Sequence, residues 1–492
     1  MERVTKNQFA KSAIWKLVGT FAAKGVSLVI SIILARILLP TDYGIVAIAV
    51  VFTNLSDILI DGGFTTALVS KKEVDKYDYS CVFITSLIIS AVLYVAMYFS
   101  SPFFARYYDE PILEKLLRII GLIFFIQAFS VTRNVAVQRN MQFKLHSICS
   151  LIASIVSGVI GIICAYSGLG VWSLVIQQLS QQAILTILLF VKIRVKLSFV
   201  FDRKRFFGIF RFSIGVMSAT LINYVGGSLN SLFIGKVYSV EDLGYSDKGG
   251  QLPMQVSLYS FSSLSNVLLP TLASYQDDLD SFKIVIRKAI KMTAYIVFPM
   301  MIGMALLSKE LIVVLLTDKW LPAVRIMQYS CIYYLATPFM LININAFYSL
   351  GHKYIRIRTE IIRIILIATG LFVGAYVFGC TINQLVLINA IIAVIVAIVT
   401  YFELKALIGY KITEAGMDLL KPGLITFMMG AIVFLIRYGL LRIGIESNLI
   451  IMAVCVVAGM LLYLLFSILL KVESYLELKE IVSKALKRKE NE

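Results

Sequence analysis

The feature that most constrains this chain is a series of long apolar runs that follow one another from its beginning to its end. A helix needs about 20 apolar residues to cross a bilayer, and each run has roughly that length. Barrel strands, which are about ten residues long with alternating polarity, do not fit. The composition agrees, because 59% of the residues are hydrophobic and only 15% are charged. The sequence therefore predicts an all-α polytopic membrane protein.

The runs give about fourteen transmembrane helices of the usual length. Their predicted ranges are 13–39, 44–69, 80–101, 112–133, 147–167, 170–191, 207–235, 244–272, 290–308, 323–350, 355–378, 382–402, 422–441 and 447–470. If the N-terminus is inside, most of the 46 lysines and arginines fall in inside segments, as cytoplasmic loops require. This bias predicts that both termini are cytoplasmic. It also accounts for most of the net charge of +17 without nucleic acid or any other ligand.

The sequence lacks the motifs that mark secreted proteins, metal sites, nucleotide-binding proteins and hydrolases. The basic start and its long apolar run predict an uncleaved first span, because a signal peptide has a shorter apolar core. The six cysteines are scattered without a CxxC pair, and His146 and His352 are too few and too far apart for a metal site. There is neither a glycine-rich phosphate loop nor a nucleophile elbow. We therefore expect no enzyme, no cofactor and no metal.

The chain repeats itself at an offset of 200 residues. SIILARILLPTDYG (Ser31–Gly44) aligns with SLFIGKVYSVEDLG (Ser231–Gly244). The coinciding positions are Ser31/Ser231, Arg36/Lys236, Asp42/Asp242 and Gly44/Gly244. In each copy the Asp-x-Gly sequence predicts a tight turn with the acid near a helix N-terminus. A weaker match places Pro111 over Pro322.

The repeat predicts two lobes of six spans each. Six is an even number, so both lobes start on the same side, and the repeat axis runs along the membrane normal. Two such halves around a central cavity are a transporter architecture that works by alternating access. The predicted segments are an N-lobe at 1–191, a basic cytoplasmic linker at 192–206, a C-lobe at 207–410, two extra spans at 411–471 and a cytoplasmic tail at 472–492.

Five motifs carry a resemblance to a known family: FAKSAIWKLVG, LARILLPTDYG, GGFTTALV, GLGVWSLV and GYSDKGGQLPMQ with its following VLLPTLASYQDD. In this order and spacing they resemble the Wzx-type polysaccharide exporters, specifically the colanic-acid and capsule branch. That family belongs to the multidrug/oligosaccharidyl-lipid/polysaccharide (MOP) flippase superfamily. The resemblance covers about residues 1–410.

The resemblance implies a bacterial inner-membrane flippase with the MATE and lipid-flippase fold. Its expected substrate is an undecaprenyl-diphosphate-linked oligosaccharide for capsule, exopolysaccharide or O-antigen synthesis. The expected partners are this lipid-linked glycan, membrane lipids and the polysaccharide polymerase machinery.

Cations inside the predicted spans are candidate substrate contacts. A cation in lipid costs at least a few kcal/mol, so it should face a partner, a cavity or an interface. Lys24 lies near the middle of the first span and Arg118 about two turns into the fourth, while Arg133 lies near a span end and is expected to extend to the interface. The resemblance adds Lys248, since lipid-II-type relatives carry lumen-facing cations in the first and eighth spans. We expect Lys24, Arg118 and Lys248 to neutralise a diphosphate.

Two carboxylates and a set of amides complete the candidate site. Asp57 and Asp61 are four residues apart and share one face of the second span with Asn54. They are either charge partners of Lys24 or Arg118, or proton-coupling groups. Six amides could hydrogen-bond sugar hydroxyls or could hold helices together. They are Asn223, Asn230, Gln251, Gln255, Asn343 and Asn345.

Three other functions remain open from the sequence. A multidrug antiporter of the same superfamily would have twelve spans and carboxylates that bind cationic drugs. A lipid II flippase would share the fourteen spans. A non-transporting scaffold of a glycan-polymerising complex would bind partners without moving substrate.

Overall fold

The computed structural model describes residues 6–198, 200, 202–477 and 479–480, and this part of the chain is helical, without β-strands. It divides into two compact units, an N-terminal unit (Met1–Gly244) and a C-terminal unit (Tyr245–Glu492). The predicted lobe boundary at 192–206 remains a prediction.

The N-terminal unit is built from nine helices and the start of a tenth, among the residues described. They are α1 (Lys6–Ile37), α2 (Pro40–Asp61), α3 (Phe64–Ser70), α4 (Lys76–Tyr107), α5 (Ile112–Ile120), α6 (Ile123–Arg139), α7 (Phe143–Tyr166), α8 (Val171–Lys192), α9 (Arg203–Val237) and α10 (Val240–Ser274). Helix α7 packs on α1 and α8, and α6 packs on α4, α8 and α2.

The C-terminal unit contains the rest of α10 and seven further helices in its described residues. They are α11 (Leu279–Leu306), α12 (Ser308–Leu316), α13 (Ala323–Ser349), α14 (Lys353–Phe372), α15 (Ile382–Ile408), α16 (Ile412–Arg442) and α17 (Asn448–Leu469). Helix α13 packs on α15 and α11, and α11 also packs on α16.

The all-α membrane fold predicted from the sequence is confirmed. In the described part of the chain, eleven helical segments are long and apolar enough to cross a membrane. The other three predicted spans fall on α1, on α5 with α6, and on α10. One span prediction needs correction: residues 112–133 are two helices of 9 and 17 residues rather than one. A tighter turn separates them, in which the Leu122 N–H bonds Ile119, three residues back rather than four.

The GGFTTALV motif creates the break between α2 and α3. Gly62 and Gly63 both have positive φ, at 55° and 73°, a conformation that side chains rarely adopt. A Cβ at Gly63 would lie only 2.7 Å from the carbonyl oxygen of Ser213 on α9. The two glycines therefore end α2, restart the chain as α3, and allow α9 to pack directly against the turn.

The internal repeat has a direct structural counterpart. Helices α1 and α9 end, and α2 and α10 begin, at positions exactly 200 residues apart. In the first copy the Asp42 carboxylate accepts a hydrogen bond from the Leu39 N–H at 2.9 Å. In the second, the Ser239 hydroxyl donates to Asp242 at 2.8 Å and accepts from the Asp242 N–H at 2.9 Å. The predicted acid near each helix N-terminus is confirmed.

The sequence predicted a tight turn at the Asp-x-Gly of each motif, but Gly44 and Gly244 lie inside helices α2 and α10. Each glycine instead allows a close contact between these two helices. A Cβ on Gly44 would lie 1.7 Å from the carbonyl oxygen of Val240, and one on Gly244 would lie 2.0 Å from that of Pro40. Pro40 and Val240 are themselves equivalent in the repeat. The first turns of α2 and α10 thus meet reciprocally, backbone against backbone, within the N-terminal unit.

The first of the two extra helices, α16, is joined to α11 and α12 by ion pairs with buried carboxylates. At one end of α16, the Arg287 guanidinium donates to both Asp418 oxygens at 2.7 and 2.8 Å, and Asp418 is 3% exposed. Toward the other end, Arg437 donates to the buried Glu310 carboxylate at 2.7 Å. Both ends of α16 are therefore fixed within the C-terminal unit.

We expect Gly44→Ala to lower the free energy of unfolding by about 1–3 kcal/mol, because the added methyl group overlaps the Val240 carbonyl and forces the helices apart. Thermal denaturation of the purified protein measures the effect. Gly25→Ala is the matched control, since a Cβ there meets nothing within 4 Å. Equal melting temperatures for the two variants would contradict this account of the contact.

We expect Asp418→Asn to lower the free energy of unfolding by about 3–5 kcal/mol, because it leaves the Arg287 charge without its main partner. Asp277→Asn, an exposed change between α10 and α11, is the control. A thermal denaturation curve that coincides for both variants would show that the ion pair does not hold α16.

Candidate functional site

A polar cavity of about 550 Å³ lies in the N-terminal unit, where α2 and α6 end and α7 begins. Its polar lining combines carboxylate, amide, hydroxyl and imidazole groups from four helices. These residues are Asp57, Asp61, Thr65, Thr66, Ser130, Asn134, Gln138, His146 and Ser147. Both carboxylates that the sequence placed on one face of the second span open into this cavity.

The geometry of the GG turn positions the carboxylates. Asp61 is the last residue of α2, and its carboxylate accepts a hydrogen bond from the Thr65 hydroxyl in the first turn of α3. Asp57 lies one turn earlier and is exposed to the cavity. Across from α2, the Asn134 side-chain oxygen is buried and has no hydrogen-bond donor among the described residues. The cavity therefore offers two carboxylates and the Asn134 amide oxygen, among its other polar groups, to a cation or a proton.

Lys24 is exposed on α1, and in the described part of the chain it makes no ion pair, neither with Asp57 nor with Asp61. Close packing of α1 on α7 explains its placement. A Cβ at Gly19 would overlap Ser147, and one at Gly158 on α7 would overlap Ile30. These glycines hold α1 against α7, while Lys24 and Gly25 stay on the open side of α1.

Arg118 has partners on its own helix, α5, and on the neighbouring α4. Its guanidinium forms a 2.8 Å ion pair with Glu114, donates to the Ser101 hydroxyl at 3.0 Å and lies 4.4 Å above the Tyr98 ring. The pairing with Asp57 or Asp61 that the sequence left open is not formed. The four-residue spacing of Glu114 and Arg118 was the sequence signal for the actual pair.

Lys248 is also partnered, inside the C-terminal unit. Its ammonium group donates to Gln251 at 3.0 Å and lies 4.0 Å from Asp247, and its side chain is 5% exposed. The adjacent Gly249 lets α10 approach α13, because a Cβ there would lie 3.0 Å from the Ala323 carbonyl oxygen. Lys248 is thus a buried cation with local compensation.

The candidate glycan contacts separate into different roles. Asn343 is buried and donates to the Thr400 hydroxyl at 3.0 Å, which joins α13 to α15. Gln251 holds Lys248. Asn223 is half-buried on α9 and donates to the carbonyl of Ala219 in its own helix. Asn230, Gln255 and Asn345 are half-buried.

The sequence analysis missed a charge pair within α14. Arg363 lies ten residues after the start of α14 and pairs with Glu360. Both side chains are largely buried, at 12% and 10% exposure. The three-residue spacing of Glu360 and Arg363 in TEIIR was the available signal.

Comparison with known proteins identifies the family. The model of the polysaccharide biosynthesis protein family matches residues 33–325. The chain belongs to this family. The resemblance to polysaccharide exporters drawn from the sequence motifs is thereby confirmed.

Two curated relatives show how far this family likeness extends. The teichuronic acid biosynthesis protein TuaB of Bacillus subtilis (strain 168) is 24% identical over 466 residues, which cover 94% of this chain and 96% of the relative. The lipopolysaccharide biosynthesis protein WzxC of Escherichia coli (strain K12) is 21% identical over 329 residues, or 65% of each chain.

Solved structures of the MOP superfamily share the fold. The lipid II flippase MurJ, in an inward closed conformation, matches with a TM-score of 0.74 at 17% identity, covering 93% of this chain and 99% of MurJ. An inward-facing multidrug resistance MATE family transporter matches with a TM-score of 0.63 at 15% identity, covering 81% of this chain and 98% of the transporter.

We expect Asn343→Ala to lower the free energy of unfolding by about 1 kcal/mol, because it removes an interhelical hydrogen bond between α13 and α15. Asn223→Ala should leave the thermal denaturation curve unchanged, since Asn223 bonds only its own helix. The reverse order of the two effects would contradict the structural role given to Asn343.

Proposed function

We propose that this protein moves an undecaprenyl-diphosphate-linked oligosaccharide from the cytoplasmic to the outer leaflet of a bacterial inner membrane, by alternating access. Family membership and the MOP fold support a flippase in polysaccharide biosynthesis. TuaB and WzxC are named for the biosynthesis of teichuronic acid and lipopolysaccharide, two polymers assembled at the cell envelope.

The observation that carries the proposal is the Lys24 ammonium group within the apolar first span, which makes no ion pair with any residue that the structure describes. A diphosphate headgroup must cross about 30 Å of hydrocarbon, where its charges need cations. An exposed cation without a carboxylate partner is available to an anionic headgroup. Arg118 and Lys248 already have partners, so each contributes only where the diphosphate displaces Glu114 or Asp247.

The polyprenyl tail needs no polar contacts, because it remains soluble in the bilayer. The glycan needs hydrogen-bond donors and acceptors instead. Asn223 is half-buried and donates a hydrogen bond within its own helix, so we assign it to the sugar before the buried Asn343, which joins α13 to α15.

We propose that the cavity containing Asp57 and Asp61 couples flipping to a proton or a monovalent cation. Two carboxylates one turn apart within a transmembrane region require a counter-charge. Asn134 offers a further oxygen without a donor, and Thr65 orients Asp61. Binding of a proton or cation there neutralises the cavity and changes the balance between conformations.

The decisive experiment is a flipping assay in proteoliposomes with undecaprenyl-diphosphate-linked oligosaccharides and a membrane-impermeant, glycan-modifying probe. We expect Lys24→Gln to slow glycan exposure at least tenfold. Lys115→Gln, at an exposed lysine of the same unit, should flip at the normal rate. Normal flipping by Lys24→Gln would remove Lys24 from the site.

A second assay tests the coupling cavity. We expect Asp57→Asn and Asp61→Asn to retain slow flipping but to lose its acceleration by an imposed proton or sodium gradient, because the neutral amides cannot exchange a charge. Asp277→Asn should respond to the gradient as the wild type does. A full response by the Asp57→Asn, Asp61→Asn double variant would place coupling elsewhere.

Two alternatives have specific support. The match to MurJ favours a lipid II flippase, and the carboxylate cavity together with the match to a MATE transporter favours a multidrug antiporter. Exposure of lipid II alone would select the first alternative. Transport of a soluble cationic drug without exposure of any lipid-linked glycan would select the second, and partner binding without any transport would indicate a scaffold.

A further inference from the structure

Arg133 on α6 is a buried cation with no counter-ion. Its side chain is 4% exposed, and no carboxylate lies within 4 Å of it among the described residues. The guanidinium donates to the Thr132 hydroxyl at 3.0 Å and to the Phe129 carbonyl at 3.4 Å. Its Nε has no acceptor in the described part of the chain. These partners are neutral, so the positive charge is uncompensated within the N-terminal unit.

The charge cannot be removed by deprotonation, since an arginine side chain stays protonated in proteins. The face of the Phe190 ring lies 3.9 Å from the guanidinium carbon and gives partial compensation through a cation–π interaction. An aromatic ring does not satisfy the free Nε–H group. The site therefore still lacks an anion with hydrogen-bond acceptors.

The position of Arg133 shows where such an anion would come from. Phe129 is an exposed apolar side chain of α6, and Arg133 follows it by one helical turn. Phe190 is itself half exposed, beside the exposed Ile187 and Val191 of α8. Phe190 stacks on the guanidinium and is itself part of this exposed apolar perimeter, which faces lipid in a membrane-spanning protein.

The depth of the site also fits the headgroup region. Phe190 belongs to the last turn of α8, which ends at Lys192. The guanidinium that stacks on it therefore lies at the level where α8 leaves the membrane, close to the phosphates of the lipid headgroups. The planar fork of arginine donors matches phosphate oxygens.

We propose that Arg133 is the binding site for the phosphate group of an anionic phospholipid, reached from the bilayer by rotation of Phe190. The phosphate accepts from Nε and a terminal nitrogen of Arg133, and the acyl chains lie along Phe129 of α6 and the exposed apolar side chains of α8. This site is independent of the substrate path proposed above.

The test is a titration of the full-length protein in detergent with phosphatidylglycerol, with binding counted by native mass spectrometry. We expect Arg133→Gln to weaken the tightest phosphatidylglycerol binding at least fivefold. Arg194→Gln, an exposed arginine just beyond the end of α8, is the matched control and should weaken it less than twofold. Equal binding by the two variants would overturn the proposal.

A second variant leaves the buried charge in place. Phe190→Leu keeps the apolar bulk but removes the aromatic face that competes with phosphate, so it should strengthen phosphatidylglycerol binding at least twofold. Unchanged or weaker binding would overturn the role of Phe190 as the cover. A parallel titration with undecaprenyl phosphate distinguishes the lipid source: a dependence on Arg133 confined to that lipid would overturn the assignment to phospholipid.

Discussion

The compensation of charge inside apolar surroundings is the constraint on which the rest of this structure depends. A charge left in hydrocarbon is costly, so each intramembrane cation must pair, reach an interface or face a polar cavity. Arg118 is neutralised by Glu114, Arg363 by Glu360, and Arg287 by Asp418. The first two pairs are local in the sequence, whereas Arg287 and Asp418 are 131 residues apart. Together the pairs leave few cations free for a ligand. Lys24 and Arg133 stand out because no carboxylate meets either of them in the described residues.

Small residues supply the second requirement, which is close approach between helices. Transmembrane helices associate through close packing of their backbones. Glycines at the crossings allow this because they have no side chain to keep the backbones apart. Gly19 and Gly158 bring α1 onto α7, and Gly44 and Gly244 bring α2 onto α10. Gly44 and Gly244 are equivalent positions of the repeated motif, and each copy of the motif contacts the other. The internal repeat of the sequence therefore gives a contact in which the two copies play equivalent parts.

The two requirements act together at the polar cavity of the N-terminal unit. The glycines at 62 and 63 end α2 just after Asp61, and this break opens space beside the carboxylates. Continuous helix at this point would have carried the chain past the cavity without Thr65 and Thr66 turning toward it. A backbone conformation favoured by glycine therefore places the polar groups that we assign to ion coupling.

The sequence by itself determined the fold class, the succession of spans, the repeat and the family. These properties depend on hydropathy over about 20 residues, on motif order and on loop charge, all of which are local along the chain. It also found the candidate carboxylates, because a four-residue spacing fixes a shared helix face. Only the tertiary structure decided which charges are compensated, since the sequence placed Arg133 at the interface, whereas its side chain is buried and covered by Phe190 of α8. Partners from distant parts of the chain set burial and charge balance, and no local pattern contains them.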